Sequence, residues 1–453
     1  MVFSSFEFLF RFLPVFLIIY YITPTKQKNM ILFWGSLVFY TMGEVEYVLL
    51  LVASVAVNYI LGRLMYAEQG ESKGWATSLL IVALCYDFGM LFVYKYSGLV
   101  RDLPLGISFY TFQIAAYTID VYRKQIPAEQ SFVKLGTYLT MFPQLVAGPI
   151  INYCDVKDQL IKRTVTAEDF EDGLKFLILG LGAKVIVADR ISLLWNHIRS
   201  IGCASISVPL AWMGAFAYSI ELYFDFAGYS MMAKGLGKML GFTIPQNFNL
   251  PYISRSISEF WRRWHITLGK WFREYVYIPL GGNRGGKART FFNLFVVWVL
   301  TACWHGIKPN FLLWGASLLF FLALEKLFLL RFLQNDHFLC RFFSHLYVLF
   351  VIPVTWVLFA IEDVGQLRIY LMRLFPFLGQ TGVKVNTMDF VECLKDYWLL
   401  FAIGILFSTP LPRRIYRYIR HKWVGTAAVA VIFVFSVYYL AISKNNPFLY
   451  FNF

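Results

Sequence analysis

Residues 252–290 read YISRSISEFWRRWHITLGKWFREYVYIPLGGNRGGKART, and this basic, aromatic and glycine-rich block differs from the rest of the chain. It contains eight Lys or Arg residues and two Glu residues. The sequence on both sides of it is dominated by long apolar runs. Positively charged segments next to membrane spans are retained on the cytoplasmic side. We therefore predict that the block is a cytoplasmic or re-entrant segment within a membrane protein.

The composition of the whole chain also indicates a membrane protein. Of its 453 residues, 58% are hydrophobic and 15% are charged, whereas a soluble domain has about 25% charged residues. No alternating strand pattern accompanies the 19% of aromatic residues, so a transmembrane barrel is excluded. The net charge of +14 comes largely from short loops between apolar runs. This charge favours contact with a membrane surface over nucleic-acid binding.

The apolar runs predict an all-α fold, because a spanning helix needs about 20 apolar residues. Several runs are interrupted by Gly or Pro, as in MFPQLVAGPI (141–150). Broken backbone at membrane depth must be covered by protein or line a wet cavity. We therefore predict one membrane domain over residues 1–453, built from transmembrane and re-entrant helices around a cavity, with residues 1–22 kept as its first membrane helix. Roughly a dozen segments are predicted, two or three of them too short to span: Phe8–Ile22, Met30–Tyr40, Tyr47–Leu64, Ser78–Tyr94, Phe132–Ile150, Leu174–Ala188, Val208–Phe226, Phe291–Trp304, Phe311–Leu330, Leu346–Ile361, Leu399–Ser408 and Val424–Ile442.

Within the basic block, Ser256 and Glu259 have the spacing of a capping box. They predict one amphipathic helix from about Ile257 to Tyr275, which would lie at the membrane interface. His265 falls on its aromatic face. The helical spacing assigns these residues to that face: Trp261, Trp264, His265, Leu268, Phe272 and Tyr275.

A second histidine stands in TACWHGIKPNFLLWG (301–315). The apolar segment Phe291–Trp304 predicts a helix that ends at His305 and Gly306, and Lys308-Pro309-Asn310 breaks the chain before the next helix. Imidazole is the side chain best suited to proton transfer near neutral pH. From the residues alone, each of the two histidines could equally be a structural side chain bonded to a carbonyl group.

Other candidate sites are weaker. The glycine-rich stretch GGNRGG (281–286) could cradle a phosphate or form a mobile turn. Glu221 and Asp225 share one helix face in an apolar segment, where an ion pair with Lys or Arg is a better prediction than acid–base chemistry. The six cysteines are scattered without zinc-binding spacing, so we expect no metal site.

Taken together, several stretches resemble the membrane-bound O-acyltransferase (MBOAT) family, in particular its bacterial alginate O-acetylation branch. The resemblance covers most of the chain, and residues 247–284 carry its most specific part. The stretches are MVFSSFEFLFRFLP (1–14), PLGISFYTFQIAAYTIDVYR (104–123), FPQLVAGPI (142–150), YFDFAGYS (223–230), NFNLPYISRSISEFWRRWHITLGKWFREYVYIPLGGNR (247–284), CWHG (303–306) and NPFLYFNF (446–453).

This resemblance implies a tunnel or funnel through a bacterial inner membrane and a catalytic His305, flanked by Trp304 and Gly306. It implies His265 as a second functional residue, which we expect to hold or orient the thioester. The donor would be acetyl-CoA as a substrate, with no bound cofactor, and the acceptor an extracytoplasmic polysaccharide or a partner acetyltransferase. From their charge and predicted side we expect that the donor phosphates are bound by Arg262, Arg263, Arg284 and Lys287. Trp264 is expected to contact the apolar pantetheine arm of the donor.

Two other functions stay open from the sequence. Ala227 and Met231 stand where the alginate branch often has a serine and an aspartate, and the chain also resembles the relative that transfers D-alanine to teichoic acids. Transfer of D-alanine or another acyl group is therefore one alternative. A transporter or channel is the alternative from a different class, because it too would have broken helices and buried charges.

Overall fold

The computed structural model describes residues 1–68, 73–99, 103–379 and 381–442, and every regular element within these ranges is a helix. The predicted all-α class is confirmed. The resembling stretch at 446–453 lies outside the described residues. The first ten α-helices are α1 (Leu13–Ile22), α2 (Lys28–Thr41), α3 (Val48–Glu68), α4 (Lys73–Tyr96), α5 (Ile107–Tyr122), α6 (Phe132–Thr140), α7 (Phe142–Leu145), α8 (Tyr153–Ile161), α9 (Ala167–Gly182) and α10 (Asp189–Ile201).

The chain continues through further α-helices, and it also contains several π-helical and 3₁₀ turns. The α-helices are α11 (Val208–Met239), α12 (Ile257–Arg263), α13 (Ile266–Phe272), α14 (Gly286–His305), α15 (Pro309–Leu324), α16 (Leu330–Leu333), α17 (Phe338–Ala360), α18 (Val364–Leu374), α19 (Asp389–Phe407), α20 (Pro410–Ile419) and α21 (Trp423–Ile442). The π-helical turns are Glu7–Phe12, Ala183–Ala188, Arg273–Tyr277 and Glu325–Leu329, and the 3₁₀ turns are Thr25–Gln27, Pro251–Ile253 and Pro376–Leu378.

Five helical segments of the described chain are long and apolar enough to cross a membrane. Each of them overlaps a segment predicted from the sequence. The total of roughly a dozen membrane segments stays a prediction. The five are Val48–Ala67, Gly74–Tyr96, Pro309–Leu333, Phe338–Ala360 and Trp423–Ile442.

Helices α9 and α11 pack closely because glycines face each other along their contact. A Cβ on Gly180 would lie 2.5 Å from the Gly228 carbonyl oxygen, and a Cβ on Gly235 would lie 2.4 Å from the Gly173 carbonyl oxygen. Small residues of this kind let helix backbones approach each other within membranes. The long helix α11 is thereby fixed against α9, and its Phe226 contacts the ring of His265.

The interrupted stretch 141–150 forms the short helix α7 and an irregular segment instead of continuing α6. All ten of its residues are buried. The backbone N–H of Ile150 donates to the Thr267 hydroxyl at 2.9 Å, so part of this irregular backbone is bonded to the basic block. The prediction that broken backbone is covered by protein is confirmed here.

The two carboxylates predicted to form ion pairs lie on α11. Asp225 lies 2.9 Å from the Lys184 ammonium group, and Lys184 also pairs with Asp189. The ion-pair prediction is therefore confirmed for Asp225. Glu221 is buried on the same helix face, and its Oε2 has no hydrogen-bond partner among the described residues.

Candidate active site

The basic block does not form the single helix predicted from Ile257 to Tyr275. Ser256 does cap α12, accepting a hydrogen bond from the Glu259 N–H at 3.0 Å, but α12 ends at Arg263. Trp264 is extended, and the chain begins a second helix, α13, at Ile266. The segment after Phe272 is a π-helical turn. The prediction was wrong because bonds to a distant segment override the helical pattern.

These bonds come from the loop that contains Asn247 and Asn249. The Asn249 N–H donates to the Arg263 carbonyl oxygen, and the Ile266 N–H donates to the Asn247 carbonyl oxygen, each at 2.9 Å. They flank the break and hold His265 at φ 43° and ψ 55°, in the left-handed region. A non-glycine residue in a sparsely populated region costs about 1–3 kcal/mol and is typical of functional sites.

The His265 side chain is buried, with 3% of its surface exposed. Its Nδ1 lies 3.0 Å from Oδ1 of Asn247, and its Nε2 has no hydrogen-bond partner among the described residues. Its ring lies nearly perpendicular to that of Phe226, with the two centroids 4.7 Å apart. His265 lies outside the five candidate spans, and burial lowers its pKa from 6.5 to about 3, so the imidazole is neutral at physiological pH.

His305 is the last residue of α14, as the sequence predicted. Lys95 and Tyr96, at the end of α4, donate hydrogen bonds to the carbonyl oxygens of Trp304 and Cys303. The last carbonyls of a helix lack partners within the helix, and a cation there also interacts favourably with the helix dipole. Lys95 and Tyr96 therefore fix the helix end from which the imidazole of His305 projects.

The His305 ring is enclosed by aromatic side chains and is 6% exposed. Its centroid lies 4.7 Å from that of Trp304, 5.0 Å from that of Phe359 and 5.1 Å from that of Trp314. A Cβ on Gly306 would lie 2.7 Å from the Phe311 ring, so only glycine permits the chain to turn this closely past the aromatic wall. Gly306 thus has a packing role beside the histidine.

Both histidines line one cavity of about 220 Å³. They are 40 positions apart in the sequence and come from separate elements, and Trp304 contacts both rings, with its centroid 6.2 Å from that of His265. The wall is mostly aromatic and aliphatic. The lining residues are Trp261, Trp264, His265, Leu268, Gly269, Phe272, Arg273, Tyr277, Leu294, Val297, Trp298, Thr301, His305, Trp314 and Trp356.

The residues predicted to bind the donor are not all near this cavity. Trp264 lines it, with 2% of its surface exposed. Arg263 pairs with Glu259 at 2.8 Å and donates to the Asn249 carbonyl oxygen, so it holds the loop in place. Arg262 is exposed beside it, and Arg284 and Lys287 are exposed further along the chain; none of these three lines the cavity. Their role in donor binding stays a prediction.

Sequence reasoning missed several residues of the site. Arg273 and Tyr277 line the cavity, although helical spacing from Trp261 places Arg273 away from the predicted aromatic face. For Asn247 and Lys95 no local signal existed, because their contacts join positions 18 and 209 residues apart.

Comparison with known proteins assigns a family to this arrangement. Residues 76–362, well over half of the chain, match the MBOAT, membrane-bound O-acyltransferase family. The chain is 34% identical to the probable alginate O-acetylase AlgI of Azotobacter vinelandii, over 100% of both chains. It is 28% identical to a peptidoglycan O-acetyltransferase of Helicobacter pylori, over 100% of this chain and 98% of that one. A teichoic acid D-alanyltransferase of Bacillus subtilis is 30% identical over 47% of this chain and 56% of its own.

Proposed function

Because the chain belongs to the membrane-bound O-acyltransferase family and is thus an acyltransferase, we propose that it moves an acetyl group from acetyl-CoA to a hydroxyl of an extracytoplasmic polysaccharide. The main structural support for this site is that His265 and His305 line one cavity. The full-length relatives named as acetylases of alginate and peptidoglycan support acetyl as the group and polysaccharide as the acceptor. The relative named as a D-alanyltransferase matches less than half of the chain. Membership of an enzyme family also removes the transporter or channel alternative.

In the proposed reaction His305 removes the proton from the acceptor hydroxyl. The hydroxyl oxygen then attacks the thioester carbonyl carbon, the C–S bond breaks, and the CoA sulfur leaves with the proton returned by His305. A positioned base contributes about 10²–10⁴-fold. The apolar wall contributes by excluding water, which strengthens electrostatic interactions within the site. The immediate acceptor is either the polysaccharide itself or a hydroxyl on an extracytoplasmic partner enzyme that modifies it.

The donor would enter from the cytoplasm at the inner membrane. The basic block at 252–290 supports this direction, since such segments are retained on that side and attract phosphate groups. Its cations would hold the phosphates, while the tryptophans of the cavity would contact the apolar pantetheine arm.

The proposed function is tested with the purified protein in lipid vesicles and acetyl-CoA labelled in the acetyl group. We expect release of free CoA that depends on an added acceptor polysaccharide, with label recovered on the polysaccharide or on an added partner enzyme. D-alanine bound to a carrier protein serves as the competing donor. Turnover of that donor, with none of acetyl-CoA, would replace acetyl transfer by D-alanyl transfer.

Arg273 gives a second test, directed at donor binding. Arg273 and Arg284 are both exposed, but of the arginines in the described part of the chain only Arg273 lines the cavity. Arg273→Gln should raise the KM for acetyl-CoA roughly tenfold with kcat retained, which is the size expected for one charge-assisted hydrogen bond. Arg284→Gln is the matched control from the glycine-rich stretch. A higher KM in Arg284→Gln, with an unchanged KM in Arg273→Gln, would assign the donor phosphates to that stretch instead.

A further inference from the structure

Asn247 forms a set of hydrogen bonds around one face of His265. Its side-chain oxygen lies 3.0 Å from His265 Nδ1, 3.3 Å from the Thr267 backbone nitrogen and 3.0 Å from the Thr267 hydroxyl oxygen. Its side-chain nitrogen donates to Ser230 Oγ at 3.2 Å. Asn247 itself is 2% exposed, so solvent does not compete for these bonds.

The contact with Thr267 decides which way round the Asn247 amide lies. A backbone N–H can only donate, so the amide atom that faces it must be the oxygen. The Thr267 hydroxyl agrees with this orientation. It accepts from the Ile150 N–H at 2.9 Å, which leaves its own proton for the Asn247 oxygen. The orientation of the amide thus follows from a backbone donor and does not depend on the histidine.

An amide oxygen can only accept, so His265 Nδ1 must be the donor in its bond to Asn247. A neutral imidazole carries one N–H, and here that N–H is at Nδ1. The other nitrogen, Nε2, then carries an unshared electron pair. It is fully buried without a hydrogen-bond partner in the described part of the chain, on a ring that lines the cavity. A doubly protonated ring would leave a charged N–H unpaired in an apolar wall, which is costly.

We propose that Asn247 is a positioning residue for acyl transfer, because it holds His265 as the Nδ1–H tautomer and presents Nε2 to the cavity as a hydrogen-bond acceptor. In this state His265 does not donate to the thioester carbonyl oxygen. It accepts a hydrogen bond from a substrate N–H or O–H group, which is either a pantetheine amide of the donor or a hydroxyl of the acceptor other than the one that His305 deprotonates. The catalytic consequence rests on the proposed function, whereas the tautomer is a property of the resting protein.

The tautomer is measured first, without substrate. Protein carrying ¹⁵N-labelled histidine rings is placed in lipid bilayers for solid-state NMR, and the spectrum of His265→Gln identifies the His265 signals among the six histidines. We expect a protonated Nδ1 and an unprotonated Nε2 in the unaltered protein. Asn247→Ala should lose this single state, whereas Asn247→Asp should keep it, since a carboxylate accepts from the same donors. A protonated Nε2 in the unaltered protein would overturn the proposal, whatever the enzyme's activity.

Kinetics then identify the substrate group that meets Nε2. Asn247→Ala should lower kcat/KM on the order of a hundredfold, as expected when a reacting group is misplaced, and Asn247→Asp should restore part of the loss. If Asn247→Ala raises the KM for the donor, the group that donates to Nε2 is the pantetheine amide. If it lowers kcat at saturating donor, that group is the acceptor hydroxyl. Ser230→Ala is the matched control, because it removes the far contact of the same amide and leaves the Oδ1 bonds. Equal loss in Ser230→Ala and Asn247→Ala, with an unchanged His265 tautomer, would reduce Asn247 to a packing role.

Discussion

Replacing His305 with alanine should lower kcat for acyl transfer by about 10²–10⁴-fold, which is the usual contribution of a general base. The imidazole projects from the end of α14 into the cavity that it shares with His265. The fold of the helix end does not depend on the ring, because Lys95 and Tyr96 bind the backbone carbonyls of the two preceding residues. Expression and thermal stability should therefore remain near those of the unaltered protein.

The control for this prediction is another histidine with a structural environment. His345 on α17 is partly buried, and its Nδ1 lies 3.1 Å from the Ser254 carbonyl oxygen. His345→Ala should leave kcat within a few-fold of the unaltered enzyme. Activity of His305→Ala within the same few-fold range would remove the catalytic assignment of His305.

The sequence predicted the residues of the cavity better than it predicted their backbone. The aromatic face assigned to one long helix supplies Trp261, Trp264, Leu268 and Phe272 to the cavity wall, together with His265. The helix itself is broken at 264–265, and no proline or glycine marks the break. The apolar pattern reports which side chains must be buried. The break depends on hydrogen bonds from the loop at 247–249, and no local pattern contains them.

Charge alone was a poor guide to the position of individual side chains. The basic block suggested four cations for the donor phosphates, yet among the described residues the cation in the cavity wall is Arg273. Arg263 has a carboxylate partner four positions earlier, an arrangement that its sequence spacing with Glu259 permitted. A count of basic residues indicates the side of the membrane. It cannot separate cations that hold a loop from cations that face a substrate.

The residues that cap the helix end at His305 could not be predicted from the sequence either. The CWHG stretch placed the histidine at a helix end, and the structure agrees. Its capping groups, Lys95 and Tyr96, belong to a helix more than 200 positions earlier. A lysine within an apolar run could only be recognised as needing a partner. The identity of that partner required the packed structure.

The second large effect concerns His265. Substitution by glutamine or by asparagine tests separately the ring edge that faces the cavity and the ring edge that faces Asn247. His265→Ala should lower activity on the order of 10²-fold, because it removes a group that orients substrate. His265→Gln places an amide oxygen near the position of Nε2 and so retains an acceptor toward the cavity. His265→Asn places its shorter amide near the position of Nδ1, so it retains only the hydrogen-bonding group that faces Asn247. We expect His265→Gln to stay within about tenfold of the unaltered enzyme, the cost of one impaired hydrogen bond, and His265→Asn to be as inactive as His265→Ala.

The same substitution at the other histidine gives the comparison. His305→Gln should retain almost no activity, since an amide cannot take up a proton at neutral pH. The measurements are kcat and the KM for acetyl-CoA in all five variants. His265→Asn should fold at least as well as the others, because asparagine tolerates the left-handed backbone that this position requires. Among the three His265 variants, a loss confined to His265→Asn and His265→Ala therefore reports the missing hydrogen-bond acceptor. If both glutamine variants are equally inactive at saturating donor, His265 and His305 act as one catalytic unit, and the separate roles proposed for them are wrong.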